Sequence, residues 1–503
     1  MLTRLKVSGF KNLIDVDIRF GPFTCIAGAN GVGKSNLFDA IRFLSALAEM
    51  PLIEAALSVR DEQSKTGDIR SLFHQVGEDH DPQIFFEAEM IVPHDAIDEL
   101  GQKADASITS LQYSLILTYR TDEDSHPLGA LEIQKEELIH INRGEASKHF
   151  LFPHTVKTWR KTAITGERRS PYFISTEDKD SGRVIRLHQD GGSSGQPVSR
   201  LASSLPRTVL SATNAAESPT ALVARQEMRS WRLLQLEPSA LRKPDQVFNT
   251  PTSLSADGSH LAATLYHLAR TPIHNGNNAS PEVRAAQVYA QVANRLSELI
   301  SDVGQVWVER DDRRELLTLM LSDREGTAYP ARALSDGTLR FLALTVLELD
   351  TRNQGVLCLE EPENGIHPER IPKILQLLQD IACDPDEEVG SDNPLRQVII
   401  NTHSPSVVQK IPDDDLIVAE LKDTLRNGKR FKRVNFAFLS DTWREKKTSA
   451  PECLNTLSRG ILLAYLNPVS TSPPQEFTQR SKRRVIDRED LTPLIPGLSE
   501  QIQ

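Results

Sequence analysis

The chain lacks paired cysteines, a net positive charge, a membrane-length apolar run, a sustained heptad pattern and any internal repeat. Its four cysteines, Cys25, Cys358, Cys383 and Cys453, are scattered with no C-x-x-C pair. That argues against a disulfide framework and for small apolar residues in a reducing compartment, with Cys25 and Cys358 in buried strands. The net charge of −11, from 58 Lys and Arg against 69 Asp and Glu, excludes a chain that coats nucleic acid by bulk charge, though not a local basic patch. No apolar stretch is long enough to span a bilayer, and the N-terminus runs straight into a strand pattern rather than a signal peptide. A cytoplasmic protein without membrane contact is expected. The missing heptads argue against a long coiled-coil arm, and no internal repeat is found. What remains, with 503 residues, 39% hydrophobic and 25% charged, is a globular chain of two or three domains.

Against that background, residues 28–35 read Gly28-Ala29-Asn30-Gly31-Val32-Gly33-Lys34-Ser35, a complete G-x-x-x-x-G-K-S phosphate loop. The apolar run Phe23 to Ala27 predicts a short buried strand before it, and Asn36 to Leu47 a helix after it. Glycines let successive backbone N–H groups face a phosphate chain, and the helix N-terminus adds partial positive charge. Lys34 is expected to reach the β- and γ-phosphates and the Ser35 hydroxyl to ligate Mg²⁺. A chance glycine turn would not come with a strand and a helix in place on either side.

Such a loop needs an acid elsewhere. Gly355-Val356-Leu357-Cys358-Leu359-Glu360-Glu361-Pro362 supplies a buried strand with two carboxylates at its C-terminal end, where a parallel sheet binds ligands. Glu360 is expected to hold Mg²⁺ and Glu361 to polarise the attacking water. Taken alone, the pair could be an exposed acidic turn. Leu334-Ser335-Asp336-Gly337-Thr338 opens an apolar helix, Leu339 to Leu349, whose N-terminus with Ser335 and Gly337 can grip an anion. Gln397 to Pro405 reads as another buried strand, ending in Asn401-Thr402-His403. His403 can contact the γ-phosphate or orient water, although a lone histidine after a strand is more often structural.

The rest of the chain organises around these motifs. Residues 2–8 and 13–20 alternate as a hairpin, and 83–92 and 111–120 read as two more strands, which together predict an antiparallel sheet beside the nucleotide-binding core. Residues 143–169 carry Arg143, Lys148, Lys157, Arg160, Lys161, Arg168 and Arg169, with Trp159 available for base stacking, although charge runs of this kind are usually just solvated. Residues 189–197 and 273–281 read as loops, and 219–236, 258–270 and 281–301 as helical. Residues 305–310 and 315–321 read as a strand pair, and 424–435 as a basic hairpin around Asn427-Gly428. From about 467 the chain is rich in Pro, Ser, Thr and charge, including the basic run 480–484, and reads as disordered.

The order of G-A-N-G-V-G-K-S, A-L-S-D-G-T, V-L-C-L-E-E-P-E-N-G-I-H-P and I-I-N-T-H-S-P resembles the ABC-type ATPases of the RecF, SMC and OLD (overcoming lysogenization defect) group. The L-E-E-P-E-N-G-I-H-P string looks most like the OLD-like AAA-family ATPases of bacterial phage-defence systems. The resemblance covers roughly 1–100 and 305–420, somewhat under half the chain. It implies an α/β fold: a P-loop NTPase head of ABC type with a mixed sheet and an antiparallel β lobe, plus a mixed α/β insertion. The expected division is 1–120 and 305–440 for the head and 121–304 for the insertion, which would contact a partner or nucleic acid. A helical segment, 441–466, and the tail, 467–503, would follow. ATP and Mg²⁺ are the implied ligands, with Asn30, Gly31, Val32, Gly33, Lys34, Ser35 and Asn36 around the phosphates and Asn30 near the γ-phosphate. Glu360 stands where Asp is commoner at the metal. Glu361 would be the base and His403 the switch histidine, beside Lys34. Ser335 and Gly337 would reach the γ-phosphate of a second subunit in a head-to-tail dimer or higher oligomer. Asp336 replaces a glycine there and is expected to cap the helix. Gln75 and Gln83 are candidates for the lid glutamine.

Many OLD-like proteins carry a nuclease domain that needs a glutamate after one strand and an Asp-x-Asp after a later one. Here Asp413-Asp414-Asp415 reads as a solvated turn, Glu420 has no Asp-x-Asp after it, and Asp441 stands alone, so no built-in nuclease is expected. The leading expectation is an ATP-hydrolysing sensor or scaffold controlling a separate effector in an anti-phage complex. The alternative is a RecF- or SMC-like repair or chromosome-maintenance ATPase that binds DNA. A scaffold that uses ATP only to lock assembly is not separable from the first. A transporter nucleotide-binding subunit is disfavoured by the insertion and by the N-G-I-H-P sequel.

Overall fold

The structure is a computed structural model that describes residues 1–59, 68–122, 126–180, 182–190, 197–248, 250–271, 280–352, 354–426, 428–446, 456–457, 460 and 462. Leu2–Ser8 (β1) and Val16–Arg19 (β2) bury alternate side chains and pair antiparallel, with Leu5 opposite Ile18. Phe23–Ala27 (β3) is buried at every position, as a central parallel strand must be, and Lys34–Leu47 (α1) follows. Next come Gln83–Ile91 (β4), Ser110–Asp122 (β5), His126–His140 (β6), Tyr172–Lys179 (β7), Gly182–Leu187 (β8) and Val198–Leu201 (β9). Pro219–Arg229 (α2) leads into Arg232–Leu234 (β10), then Leu261–Leu268 (α3), Pro281–Leu299 (α4), Gln305–Asp311 (β11) and Leu316–Ser322 (β12). Asp336–Leu349 (α5), Gly355–Glu360 (β13), Ile371–Ile381 (α6), Arg396–Thr402 (β14), Leu416–Arg426 (β15), Lys429–Leu439 (β16) and Thr456–Leu457 (β17) complete the principal elements.

Two large sheets result. The first, antiparallel throughout, has eight strands in the order β9-β8-β7-β6-β5-β4-β1-β2. The second has seven in the order β10-β13-β14-β3-β15-β16-β17, and its first five strands run parallel. Because side chains alternate across a strand, each central parallel strand feeds two cores. Ile26, Val356, Cys358, Ile399, Ile417 and Ala419 pack with α1, α2 and the antiparallel sheet. Cys25, Ala27, Leu357, Leu359, Val398, Ile400 and Val418 pack with α3, α4, α5 and α6. Each large apolar side chain so buried contributes about 1.5–3 kcal/mol.

The structure departs from the sequence expectations at several places. The helical reading over 219–236 is broken: α2 ends at Arg229, and Arg232–Leu234 becomes an edge strand paired in parallel with β13. Tertiary pairing overrides local periodicity there. Gly355 opens β13 at φ 89°, where an added Cβ would lie 1.8 Å from the Ser230 hydroxyl, so the two segments meet through a glycine. Trp159 is fully buried and its indole N–H donates to Cys383 Sγ at 3.2 Å, so it cannot stack on a base. Asp413–Asp415 is a single tight turn with Asp413 and Asp414 exposed, as the solvated reading expects, and the Asp414 side chain accepts the Trp443 backbone N–H at 3.1 Å. A further departure, at the start of α5, is described with the cleft.

The segment 121–304 contributes β6–β9 to the antiparallel sheet and β10 to the parallel one. The β15–β16 hairpin forms as expected, with Arg426 opposite Lys429, and ion pairs Arg430–Asp423 and Lys429–Asp79 offset part of its charge. The glycine-rich stretch 191–196, most of the 273–281 loop, Asn427, Cys453 and the tail 467–503 lie outside the described residues. Among the described residues, no helix is long and apolar enough to cross a membrane.

Candidate active site

The strand order puts the C-terminal ends of β3, β14, β13 and β10 side by side, so whatever follows each strand meets at one edge. After β3 the chain curls through Gly31 and Gly33, both at positive φ (78° and 107°), and Gly33 sits directly before α1. A Cβ on Gly33 would also lie 2.1 Å from Asn12 Nδ2. Asn12, from the turn between β1 and β2, donates to Val32 O at 3.1 Å and accepts from Asn36 Nδ2 at 2.7 Å, so the antiparallel lobe grips the phosphate loop from outside. Val32 turns its side chain into the core.

Lys34 donates to Gly28 O at 2.7 Å and Ala29 O at 2.9 Å. Its amine is held below the usual lysine range because burial outweighs the attraction of Glu361, Glu360 and Glu363. Glu360 and Glu361, but not Glu363, line a cleft of about 660 Å³ together with Asn30, Gly31, Gly33, Lys34, Ser35 and Asn36, with Asn364, Asn401, Arg340 and Gln235 around it.

Glu361 follows β13 at φ 45°, a left-handed conformation that costs a non-glycine residue energy and that the surroundings enforce. Its N–H donates to Asn401, to the backbone O at 3.0 Å and the side-chain Oδ1 at 3.1 Å. Oε1 accepts from His403 Nδ1 at 2.6 Å, and Oε2 accepts from Asn364 Nδ2 at 2.7 Å. Burial pushes its carboxyl up, but Asn364, His403 and Lys34 together hold it below the ordinary range, so it is ionised at neutral pH. Asn401 Nδ2 also reaches Glu360 Oε1 at 3.3 Å. Glu360 and the Ser35 hydroxyl line the same cleft. A hydroxyl and a carboxylate, completed by phosphate and water oxygens, are the sparse hard-oxygen set that suits Mg²⁺.

Ser335 and Gly337 do not line this cleft. They begin α5, where the structure corrects the expected cap: Ser335 is the N-cap, accepting Thr338 N–H at 3.2 Å, while Asp336 occupies the first turn and pairs with Arg242. That is also where an acid complements the helix dipole. Neither Gln75 nor Gln83 lines the cleft. Gln75 lies in a short two-residue strand and donates to Gly77 O, and Gln83 starts β4 in the antiparallel sheet. Gln235, immediately after β10, lines the cleft instead. Its signal was hidden because β10 is three residues long inside a helical-looking stretch. Asn12 read only as a turn residue, and Asn364 and Glu363 read only as part of a motif string.

This fold and cleft define a P-loop nucleotide-binding protein. The chain belongs to the family described as "AAA domain, putative AbiEii toxin, Type IV TA system", whose model matches residues 23–131 and 198–409. A 46-residue segment is 44% identical to the DNA replication and repair protein RecF of two Porphyromonas gingivalis strains, covering 9% of this chain and only 13% of that protein. Among solved structures, an SMC head bound to the C-winged helix domain of ScpA is similar at TM-score 0.44 and 13% identity, covering 89% of this chain and 99% of that one. The SMC head domain from Thermotoga maritima gives TM-score 0.35 and 12% identity over 87% and 99%.

Proposed function

We propose that the protein hydrolyses ATP with Mg²⁺ at this cleft and that Glu361 is the general base. The observation that carries the reading is the placement of Glu361, oriented through both oxygens by His403 and Asn364, across the cleft from Lys34 and Ser35. The backbone of Asn30 to Gly33 and the Asn36 end of the loop would cradle the phosphates, and Lys34 would leave its loop carbonyls for phosphate oxygens. Ser35 and Glu360 would hold Mg²⁺, which when bound neutralises phosphate charge. Glu361 would take the proton of the water that attacks the γ-phosphorus, with ADP leaving, and His403 would keep the carboxylate aimed.

The position of Ser335 and Gly337 outside their own chain's cleft supports a head-to-tail assembly in which they reach the γ-phosphate bound by a second copy. We further propose that this ATP-closed assembly is a cytoplasmic sensor and scaffold in anti-phage defence, controlling a separate effector. The L-E-E-P-E-N-G-I-H-P string supports that reading. The 44% identical RecF segment favours a second one, a repair ATPase that binds DNA.

Pull-down of the Glu361→Gln protein with Mg²⁺-ATP from its native host separates them. A stoichiometric protein encoded next to its gene supports the defence scaffold. DNA alone, lost as salt is raised, supports the repair ATPase. Neither would contradict both readings.

A further inference from the structure

Resting on the assignment of Glu361 as base, a third acid in the same segment acquires a role. Glu363 is 8% exposed. One of its oxygens accepts the Thr402 hydroxyl, and the other, Oε2, is buried without a partner in the described structure. Burial pushes this carboxyl above the ordinary range, against the Thr402 hydrogen bond that lowers it. An acid kept in such a place costs stability, since a buried unsatisfied oxygen has lost its water without gaining a partner. A core strand end has no need of it.

Thr402 is the joint between three parts of the site. Its backbone O accepts the N–H of Gly28, the first residue of the phosphate loop, at 3.1 Å. Its hydroxyl oxygen accepts the Ser404 N–H at 2.9 Å, which closes the turn around His403. The same hydroxyl donates to Glu363. The segment after β13 is thereby tied to the turn after β14, and that turn presents His403 Nδ1 to Glu361 at 2.6 Å.

We infer that Glu363 is a positioning residue for hydrolysis, acting through Thr402 to hold the His403 turn against Glu361. It does not line the cleft. Its loss frees the turn, and His403 no longer fixes the base. ATP binding, which depends on the phosphate loop and on Lys34, survives.

The test is steady-state ATP turnover with Mg²⁺, alongside nucleotide binding, for the full chain and five variants: Glu361→Gln, Glu363→Ala, Glu363→Gln, Thr402→Val and the Glu363→Ala/Thr402→Val double. Misplacing a catalytic group by about 1 Å can cost up to about 100-fold, so Glu363→Ala and Thr402→Val should each lower kcat by about 10- to 100-fold, with KM and ATP affinity changed less than about threefold. Glu363→Gln keeps an acceptor for the Thr402 hydroxyl and should restore kcat to within about threefold of the parent. The double variant should be no worse than the worse single, because both remove one interaction. Thr402→Val preserves side-chain shape, so a folding failure of Glu363→Ala does not remove the test.

Wild-type kcat in Thr402→Val or Glu363→Ala, additive losses in the double, or a loss of ATP affinity equal to the loss of kcat would overturn the inference while leaving the base assignment in place. Wild-type turnover by Glu361→Gln would overturn the base assignment, and this inference with it.

Discussion

In the antiparallel sheet, Glu136 on β6 is fully buried, and its carboxyl accepts backbone N–H groups from Val209 and Leu210, both at 2.8 Å, and the Tyr113 hydroxyl at 3.3 Å. In the parallel sheet, Glu363 is nearly as buried but has one oxygen with no partner, and Glu361 beside it is twisted into a left-handed backbone conformation. The first acid is satisfied by its surroundings and serves to staple the 208–212 turn to the sheet. The second pair sits in unsatisfied and strained positions, at the strand ends where ligands meet. Among these three acids, the satisfied Glu136 serves the structure, while the incompletely satisfied Glu363 and the strained Glu361 belong to the segment that borders the site. Asn12 is the exception that crosses the boundary, reaching from the antiparallel lobe to the phosphate loop.

If this comparison holds, changes in the parallel sheet alter turnover per folded molecule, and changes in the antiparallel lobe alter stability. Lys34→Ala should have the largest effect: ATP binding or turnover is lost, while the unfolding midpoint without nucleotide stays near that of the parent. A calorimetric titration with ATP and a thermal melt check both halves.

Trp159→Ala should do the reverse. Removing a fully buried indole costs about 3–5 kcal/mol by denaturant unfolding, with no change in nucleic-acid affinity, because its ring is inaccessible.

Glu136 sets a pH dependence. Burial pushes its carboxyl up to about 7, from an ordinary value of 4.5. Between those values the folded protein keeps a proton that the unfolded chain has released, so this group makes stability fall as pH rises from about 4.5 to about 7, then level off. The full swing is on the order of 3 kcal/mol. Unfolding curves across that range should lose this component in Glu136→Gln.

At the start of α5, Ser335→Ala should cost about 1 kcal/mol as a lost N-cap. Asp336→Ala should cost less than about 1 kcal/mol, since the Arg242 pair is half exposed. Equal costs would return the cap to Asp336.

What could be read from sequence follows the same division. The parallel strands announce themselves, because apolar runs such as Val356 to Leu359 and Val398 to Ile400 end abruptly in Glu360-Glu361 and Asn401-Thr402-His403. Chemistry that follows a strand in sequence follows it in space. The cap of α5 was misassigned by one residue because Ser335 and Asp336 are both good caps, and only backbone geometry separates them. Gln235 was missed because a three-residue edge strand has too few side chains to show a period of two. Asn12, Asn364 and the Glu363–Thr402 contact join residues from different elements, and no local pattern encodes those pairings. Trp159 misled because a tryptophan among basic residues looks the same in sequence whether it faces solvent or, as here, Phe152 and Cys383.

The most direct test of the account is ATP turnover and ATP binding measured side by side for Glu361→Gln. A general base is worth about 100- to 10,000-fold, so turnover should fall by that order while ATP affinity is retained. Turnover at the parental rate would remove Glu361 from the chemistry and contradict the reading of the cleft.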